Sequence, residues 1–343
     1  MRLTRDTLVK LARDTANQRA RVSRRIVCIY LTGSVLGDTP LLGGTTDIDL
    51  VIIHDSEPLQ EREIVRLTDE IHLDIAHYPQ SMFQQPRSLR AHPWFGPSIY
   101  SKPMVFHDTN HWFDYIQAST GAQFLQPETI AQRAGVLAET ARQTWMSLTL
   151  DSAKPHTERV YNYLQSIENA GNALVSLTGE SSPLAERRFL IQLPQRLQSL
   201  HHTDLVSGLT GLLVSDIASI EPLWPDWLHH WKEAYAAASS QEDAPPRIHP
   251  TRGLYYERAI ASLWDENPAA ALWLLARTWT LAAGRFADDT PVVQSWSAAM
   301  QSLGLGQESF VQRLQDLDHY LDQVEETLET WAHENGISTF PES

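Results

Sequence analysis

Short apolar runs fill the first third of the chain, and apolar residues recur at helical spacing afterwards. An amphipathic pattern over 7–21 predicts a helix ahead of the first strand, and further helices are expected near 81–89 and from about 110. The apolar and alternating runs predict strands at 26–31, 45–53, 63–68, 71–77 and 104–107. The first part of the chain is therefore predicted to be an α/β domain with helices flanking its strands.

The remainder of the chain has the pattern of a helical bundle. Pro127 opens a helical pattern that extends to Leu150, since proline is favoured in a first helical turn. Further helices are predicted at about 156–178, 184–200, 222–239, 254–265, 268–285, 292–303 and 307–334. The proline-containing segment 239–250 is predicted to be an internal loop. We therefore expect an α/β domain at 1–126 and an all-α helical bundle domain at 127–343.

Three aspartates stand inside the predicted strands. Alternation places Asp47 and Asp49 on one face of their strand, and Asp74 lies amid apolar neighbours in a later strand. A carboxylate within an apolar strand is costly unless it is paired or binds a metal, so the three predict a metal site. Mg²⁺ prefers oxygen ligands of this kind. Gly33 and Ser34, after the first strand, could approach a phosphate closely through backbone and hydroxyl.

Gly33-Ser34, the Asp47-x-Asp49 pair and the later Asp74 resemble the signature of DNA polymerase beta-like nucleotidyltransferases, which include aminoglycoside, lincosamide and minimal nucleotidyltransferases. The resemblance covers about the first third of the chain and implies a mixed sheet with flanking helices there. It implies Mg²⁺-dependent transfer of a nucleoside monophosphate, most simply AMP from ATP, to a hydroxyl of an acceptor with release of pyrophosphate. The three aspartates would be metal-binding and catalytic, with Asp74 either a second-metal ligand or a base.

The residues around the Gly-Ser turn also bear on nucleotide binding. Gly33, Ser34 and Thr46 are expected to contact the nucleotide, although relatives more often have serine at the position of Thr46. Many relatives carry an arginine shortly after the Gly-Ser pair, where Val35 and Leu36 stand here. A basic contact to the phosphates therefore comes from another part of the chain or is missing.

Charge distinguishes the two halves and suggests an acceptor. The net charge is −15, and residues 127–343 contribute −14 of it, with 14 basic and 28 acidic residues. Such a surface repels nucleic-acid backbones and attracts cations, so a small cationic acceptor such as an aminoglycoside is expected, as in antibiotic modification. The alternatives are an acidic surface that serves only solubility, a nucleotidyltransferase acting on a protein or tRNA in a toxin–antitoxin context, and a non-catalytic interaction module retaining the fold.

Two features of the helical half are open to more than one interpretation. Glu168, Asn169 and Asn172 are spaced to share a helix face. Glu168 could bind the acceptor or act as a base, although an ordinary solvated helix glutamate is more common. Arg187 and Arg188 could contact phosphates, but a surface salt bridge is the more common role of such a pair.

The remaining expectations concern location. No apolar run approaches the roughly 20 residues of a membrane span, so no membrane partner is expected. Cys28 is the only cysteine and can form no internal disulfide, and we expect a cytoplasmic protein. The sequence leaves the oligomeric state open.

Overall fold

The structure, a computed structural model, describes residues 3–179, 182–198, 200–214 and 216–337. The chain forms two compact units, Met1–Phe124 and Leu125–Ser343. Among the described residues, no helix combines the length and the apolar character needed to cross a membrane.

The first unit is built on a five-stranded mixed sheet. Its strands are β1 (Ile26–Thr32), β2 (Thr46–His54), β3 (Arg62–Arg66), β4 (Ile71–Pro79) and β5 (Met104–Asp108). Their order across the sheet is β3-β4-β2-β1-β5. β2 and β4 run parallel, whereas the pairs β1–β2, β1–β5 and β3–β4 are antiparallel. The predicted mixed sheet and the hairpin that carries Asp74 are therefore confirmed.

Alternation along the strands gives the sheet two faces, each with its own apolar core. On one face, Ile48, Leu50 and Ile52 of β2 pack with buried side chains of α1 (Arg5–Val22). On the other face, Val51 and Ile53 pack with side chains from three short helices. These helices are α2 (Pro86–Ala91), α3 (Phe95–Tyr100) and α4 (Trp112–Gly121). Asp47 and Asp49 have the same alternation as Val51, and they therefore lie on this second face.

The second unit is helical, as predicted. Its helices are α5 (Pro127–Leu150), α6 (His156–Ser176), α7 (Phe189–Gln198), α8 (Thr203–Leu213), α9 (Trp224–Ser239), α10 (Gly253–Glu266), α11 (Pro268–Ala283), α12 (Pro291–Ser302) and α13 (Phe310–Glu334). α11 is buried along nearly its whole length, so it forms the centre of this unit. Asn267 and Thr290 cap the first turns of α11 and α12 with their side-chain oxygens.

Several predicted elements differ in detail from the observed ones. The helix expected near 81–89 is a 3₁₀ turn, Gln80–Phe83, followed by α2, because the residue before Pro86 adopts an extended conformation. The helix expected at 184–200 begins with another 3₁₀ turn, Glu186–Arg188. The helices α3 and α8 were not predicted, and the expected loop at 239–250 contains the 3₁₀ turn Pro246–Ile248.

Candidate metal centre

Two adjacent parallel strands bring the three predicted aspartates together. Asp49 on β2 lies directly opposite Asp74 on β4, and Asp47 lies two residues earlier on the same face. Each of the three offers a carboxylate oxygen, and these oxygens lie within 4.8 Å of one another. Asp47 and Asp49 are partly buried and Asp74 is buried. We call these three residues the aspartate cluster.

The turn after β1 is shaped around one of these carboxylates. Gly33 has φ +75°, and a Cβ atom at this position would come within 1.9 Å of the Asp49 Oδ2 atom. Glycine is therefore required here both by the backbone conformation and by the space that the carboxylate occupies. Ser34 then begins a short 3₁₀ turn that ends at Leu36. The structure brings Gly33 against the aspartate cluster, and its contact with a phosphate stays a prediction.

A residue that the sequence analysis missed holds this turn. Arg5 of α1 donates from Nε to the Val35 carbonyl at 3.1 Å and from Nη2 to the Leu36 carbonyl at 3.0 Å. Val35 itself is fully buried. Two apolar residues thus follow Ser34, and an arginine thirty positions earlier in the chain holds their carbonyls.

Thr46 faces away from the aspartate cluster. It is fully buried, and its hydroxyl donates to the Pro40 carbonyl at 3.0 Å. Its amide donates to the Glu70 carbonyl at 3.0 Å. These bonds fix the loop that leads into β2, and contact between Thr46 and a nucleotide stays a prediction.

The buried member of the cluster has an arginine partner from the neighbouring strand. Arg62 of β3 donates from Nε to Asp74 Oδ1 and from Nη2 to Asp74 Oδ2, each at 2.6 Å. This two-pronged geometry is the strongest form of carboxylate recognition by arginine. Arg62 is not among the residues predicted from the sequence, although the alternation of the hairpin places it on the same face as Asp74.

Histidines near the cluster divide between the two faces of the sheet. His72 is buried and shares the alternation of Asp74 on β4. His77 has the opposite alternation, and its Nδ1 atom lies 3.0 Å from His54 Nε2. Its Nε2 atom lies 3.6 Å from a Glu63 oxygen. Burial lowers the pKa of His77, and the nearby His54 lowers it further.

A second acidic group in this unit has a structural role. Carboxylate and imidazole atoms of Asp108, His111 and Asp114 come within 4.8 Å of one another. However, Asp108 accepts hydrogen bonds from the amides of Phe113 at 2.9 Å and Asp114 at 3.3 Å, and it thereby satisfies the first turn of α4. His111 and Asp114 are exposed. This group is explained by helix capping.

Glu168, expected as a solvated helix residue, is buried, so that interpretation is wrong. Its Oε2 atom accepts from Arg277 Nη2 at 2.7 Å, and the Arg277 side chain is fully buried. Arg277 also donates from Nε to Glu186 Oε1 at 3.3 Å, and Arg247 lies 3.9 Å from that oxygen. We call Glu168, Glu186, Arg247 and Arg277 the glutamate–arginine network.

The two glutamates of the network differ in their electrostatic surroundings. Burial raises the pKa of Glu168, an effect that Arg277 only partly offsets. At Glu186 burial acts in the same direction, but Arg247 and Arg277 outweigh it and lower the pKa. Glu168, Glu186 and Arg277 are largely buried, whereas Arg247 is 40% exposed, and the two carboxylates are engaged by arginines of the same unit.

Arg187 and Asn172 also have structural partners. The Arg187 guanidinium lies 3.5 Å from the centre of the Tyr255 ring and is largely buried, so it does not lie at the surface where the sequence placed it. Asn172 Oδ1 accepts from the amide of Leu184 at 2.6 Å. Both side chains fix the segment between α6 and α7.

Comparisons with known proteins add little to this site. No family model matches the chain, and no curated protein is significantly similar to it. Among solved structures, the chain is similar to a nucleotidyltransferase-like protein from Exiguobacterium sibiricum, with 9% identity over 93% of this chain and 91% of that chain. The TM-score is 0.29, a level of likeness that carries no argument about function. The functional argument therefore rests on the site.

Proposed function

We propose that this chain is a Mg²⁺-dependent nucleotidyltransferase that transfers a nucleoside monophosphate, most simply AMP from ATP, to a hydroxyl group and releases pyrophosphate. The observation that supports this most strongly is the aspartate cluster, whose carboxylate oxygens lie within 4.8 Å of one another beside a turn that only glycine fits. An all-oxygen donor set of this kind suits Mg²⁺. Asp74 is also paired with Arg62, and the mutual repulsion of three carboxylates this close together is what a bound cation would relieve.

The residues of the site have distinct roles in this proposal. Asp47 and Asp49 would hold Mg²⁺, which when bound neutralises phosphate charge and aligns the reacting oxygens. Gly33 keeps the turn close to Asp49, and Ser34 offers a hydroxyl and an amide to a phosphate oxygen. Asp74 would orient the site from the neighbouring strand, as a further metal ligand or as the group that takes the acceptor proton.

We further propose that residues 127–343 bind the acceptor, and that the acceptor is small, cationic and hydroxyl-bearing, as an aminoglycoside is. The charge of −14 on those residues supports this, because an acidic surface concentrates cations near it. The steering is screened over about 8 Å at physiological salt, so apparent acceptor affinity should fall as salt rises. A protein or tRNA acceptor would not show preferential transfer to small cations over neutral analogues at low salt.

Labelled nucleoside triphosphates incubated with Mg²⁺ and a panel of cationic and neutral hydroxyl compounds test the activity directly. Transfer should require Mg²⁺, and Asp47→Asn should abolish it because a metal ligand is lost. Asp55→Asn is the matched control, since Asp55 follows β2 at its other end and pairs with Arg25. Failure of every labelled nucleotide to bind would favour a non-catalytic module, whereas nucleotide hydrolysis without transfer to small compounds would point to a macromolecular acceptor.

A further inference from the structure

The contact between Arg62 and Asp74 joins a cation to one end of the aspartate cluster. Arg62 lies on the edge strand β3, and its side chain is 44% exposed while that of Asp74 is 3% exposed. A guanidinium that binds both oxygens of a carboxylate fixes the carboxylate in one orientation. Asp74 is therefore held in place by an arginine that is itself open to solvent.

The charge of Arg62 acts against a metal ion. Together with the aspartate cluster, Arg62 forms a group of three carboxylates and one guanidinium. The guanidinium repels a divalent cation at the cluster and stabilises the carboxylates in its absence. Arg62 thus favours the metal-free state of the site.

The turn after β1 supplies no basic side chain to a triphosphate, and Arg62 can supply one. The side chain of Val35 is buried and Leu36 is apolar, so these positions offer no cation to a triphosphate. Arginine recognises phosphate with the same two-pronged geometry that it uses for carboxylate. Arg62 therefore already makes, with Asp74, the kind of contact that a phosphate group would accept.

We propose that Arg62 is a positioning residue that couples metal binding to nucleotide binding. In the absence of nucleotide it holds Asp74 and opposes a free divalent cation. When a nucleoside triphosphate arrives with its metal ion, the added phosphate charge offsets this opposition and gives Arg62 a second anionic partner. The inference rests on the proposed function and assigns to Arg62 the phosphate contact that Val35 and Leu36 do not provide.

The hairpin provides a matched control. Arg66 stands on the same strand and the same face as Arg62, four residues later, and it is 63% exposed. It pairs with the exposed Asp69 in the turn of the hairpin instead of with the aspartate cluster. Arg66→Gln removes the same charge from the same strand while leaving the Asp74 contact intact.

Two titrations of the full chain test the proposal. Mn²⁺ alone is titrated against wild type, Arg62→Gln, Arg62→Lys and Arg66→Gln, with bound metal followed by loss of the free-ion electron spin resonance signal. A non-hydrolysable ATP analogue is then titrated with saturating Mn²⁺. Arg62→Gln should bind Mn²⁺ alone about tenfold more tightly, because the opposing charge is gone. It should bind the analogue about tenfold more weakly, because a charge-assisted pair to phosphate is lost.

Tighter Mn²⁺ binding together with weaker analogue binding distinguishes the proposal from a purely structural role of Arg62. Arg62→Lys keeps the charge without the planar fork, so it should retain wild-type Mn²⁺ affinity and lose part of the affinity for the analogue. Arg66→Gln should match wild type in both titrations. If Arg62→Gln lowers the affinities for both Mn²⁺ and the analogue, Arg62 only supports the shape of the site. If it changes neither affinity, Arg62 has no part in binding. Either result overturns the proposal. If wild type and Asp49→Asn bind the analogue equally poorly in saturating Mn²⁺, the proposed function itself fails.

Discussion

Each unit contains a group of buried or partly buried carboxylates, and the two groups differ in how far they are exposed to solvent and how fully they are paired. In the aspartate cluster, two of the three carboxylates remain partly exposed, and the arginine that contacts the third is 44% exposed. In the glutamate–arginine network, the central guanidinium of Arg277 is fully buried between two carboxylates, and the Glu168 side chain is 4% exposed. The aspartate cluster is open on a sheet face, whereas both glutamates and Arg277 of the network are largely enclosed, with Arg247, 40% exposed, on their outer side.

The difference shows why burial of a carboxylate does not by itself mark a functional site. An enclosed ion pair is satisfied by its own unit, and its removal is felt as a loss of stability. Carboxylates held close together and reachable by solvent repel one another, and a cation relieves that repulsion. We therefore expect substitutions in the aspartate cluster to change ligand binding, and substitutions in the network to change the free energy of unfolding.

The largest effect is expected for Asp49→Asn in a transfer assay. Loss of this carboxylate should reduce turnover about a thousandfold, which corresponds to about 4 kcal/mol of transition-state stabilisation. The free energy of unfolding in metal-free buffer should be unchanged or higher, because one of three neighbouring charges is gone. Near-normal turnover of Asp49→Asn, or a large fall in its free energy of unfolding, would show that Asp49 has a structural role instead of a metal-binding one.

In the glutamate–arginine network, Arg277→Met should lower stability and leave metal binding unchanged. Two buried carboxylates would lose a shared partner, and we expect the unfolding free energy to fall by about 3 kcal/mol. This is the lower end of the range for a broken buried pair, because Arg247 still lies near Glu186. Chemical denaturation measures the change, and Mn²⁺ binding should stay at the wild-type level.

Arg142→Met is the control for that substitution. Arg142 pairs with Asp318, Asp322 and Glu325, all of which are at least 40% exposed. Arg142 itself is 16% exposed, but its three carboxylates remain open to water when it is removed, so this change should cost less than Arg277→Met. Equal losses for the two arginine variants would remove the distinction between an enclosed network and a surface one.

A smaller effect should come from Gly33→Ala. Alanine at φ +75° and ψ −159°, a conformation almost exclusive to glycine, costs about 1–3 kcal/mol, and its Cβ would also displace the Asp49 carboxylate. We expect Mn²⁺ affinity to fall more than the conformational strain alone explains. Gly37→Ala, in the same loop but at φ −86° and with its nearest contact at 3.4 Å, should leave metal affinity unchanged. If Gly33→Ala and Gly37→Ala have the same Mn²⁺ affinity, the shape of the Gly33 turn has no effect on metal binding by the aspartate cluster.

The smallest effect concerns pH and lies on the opposite face of the sheet. The pKa of His77 is lowered by burial from its ordinary value of 6.5, so below that pH the unfolded chain binds a proton that the folded chain resists. Stability of the first unit should therefore fall as pH drops below 6.5. His77→Asn should flatten this dependence, measured by thermal unfolding from pH 7.5 to 5.5. The exposed His229→Asn should leave the slope as in wild type.

The elements that sequence predicted well are those whose pattern is local. Strand alternation was enough to place Asp47 and Asp49 together and to find the hairpin of Asp74. The helices α3 and α8 escaped prediction because Gly96-Pro97 interrupts one, and Gly208 and Gly211 weaken the helical pattern of the other.

The contacts that escaped prediction depend on pairing between distant residues. The parallel alignment of β2 with β4, which sets Asp49 opposite Asp74, has no local signal. The partner of Glu168 lies 109 residues away, so a solvated glutamate was the natural expectation. Arg62 could have been found from the hairpin alone, by following the alternation that puts it on the face of Asp74.

The most direct test of the account is the binding of a non-hydrolysable ATP analogue to wild type and to the Asp47→Asn, Asp49→Asn double variant, with and without Mg²⁺. Isothermal titration calorimetry gives both affinities on the same samples, and circular dichroism confirms that the variant is folded. The account predicts that wild type binds the analogue only when Mg²⁺ is present and that the double variant does not bind it. Equal affinity with and without Mg²⁺, or binding that survives in the folded double variant, would contradict it.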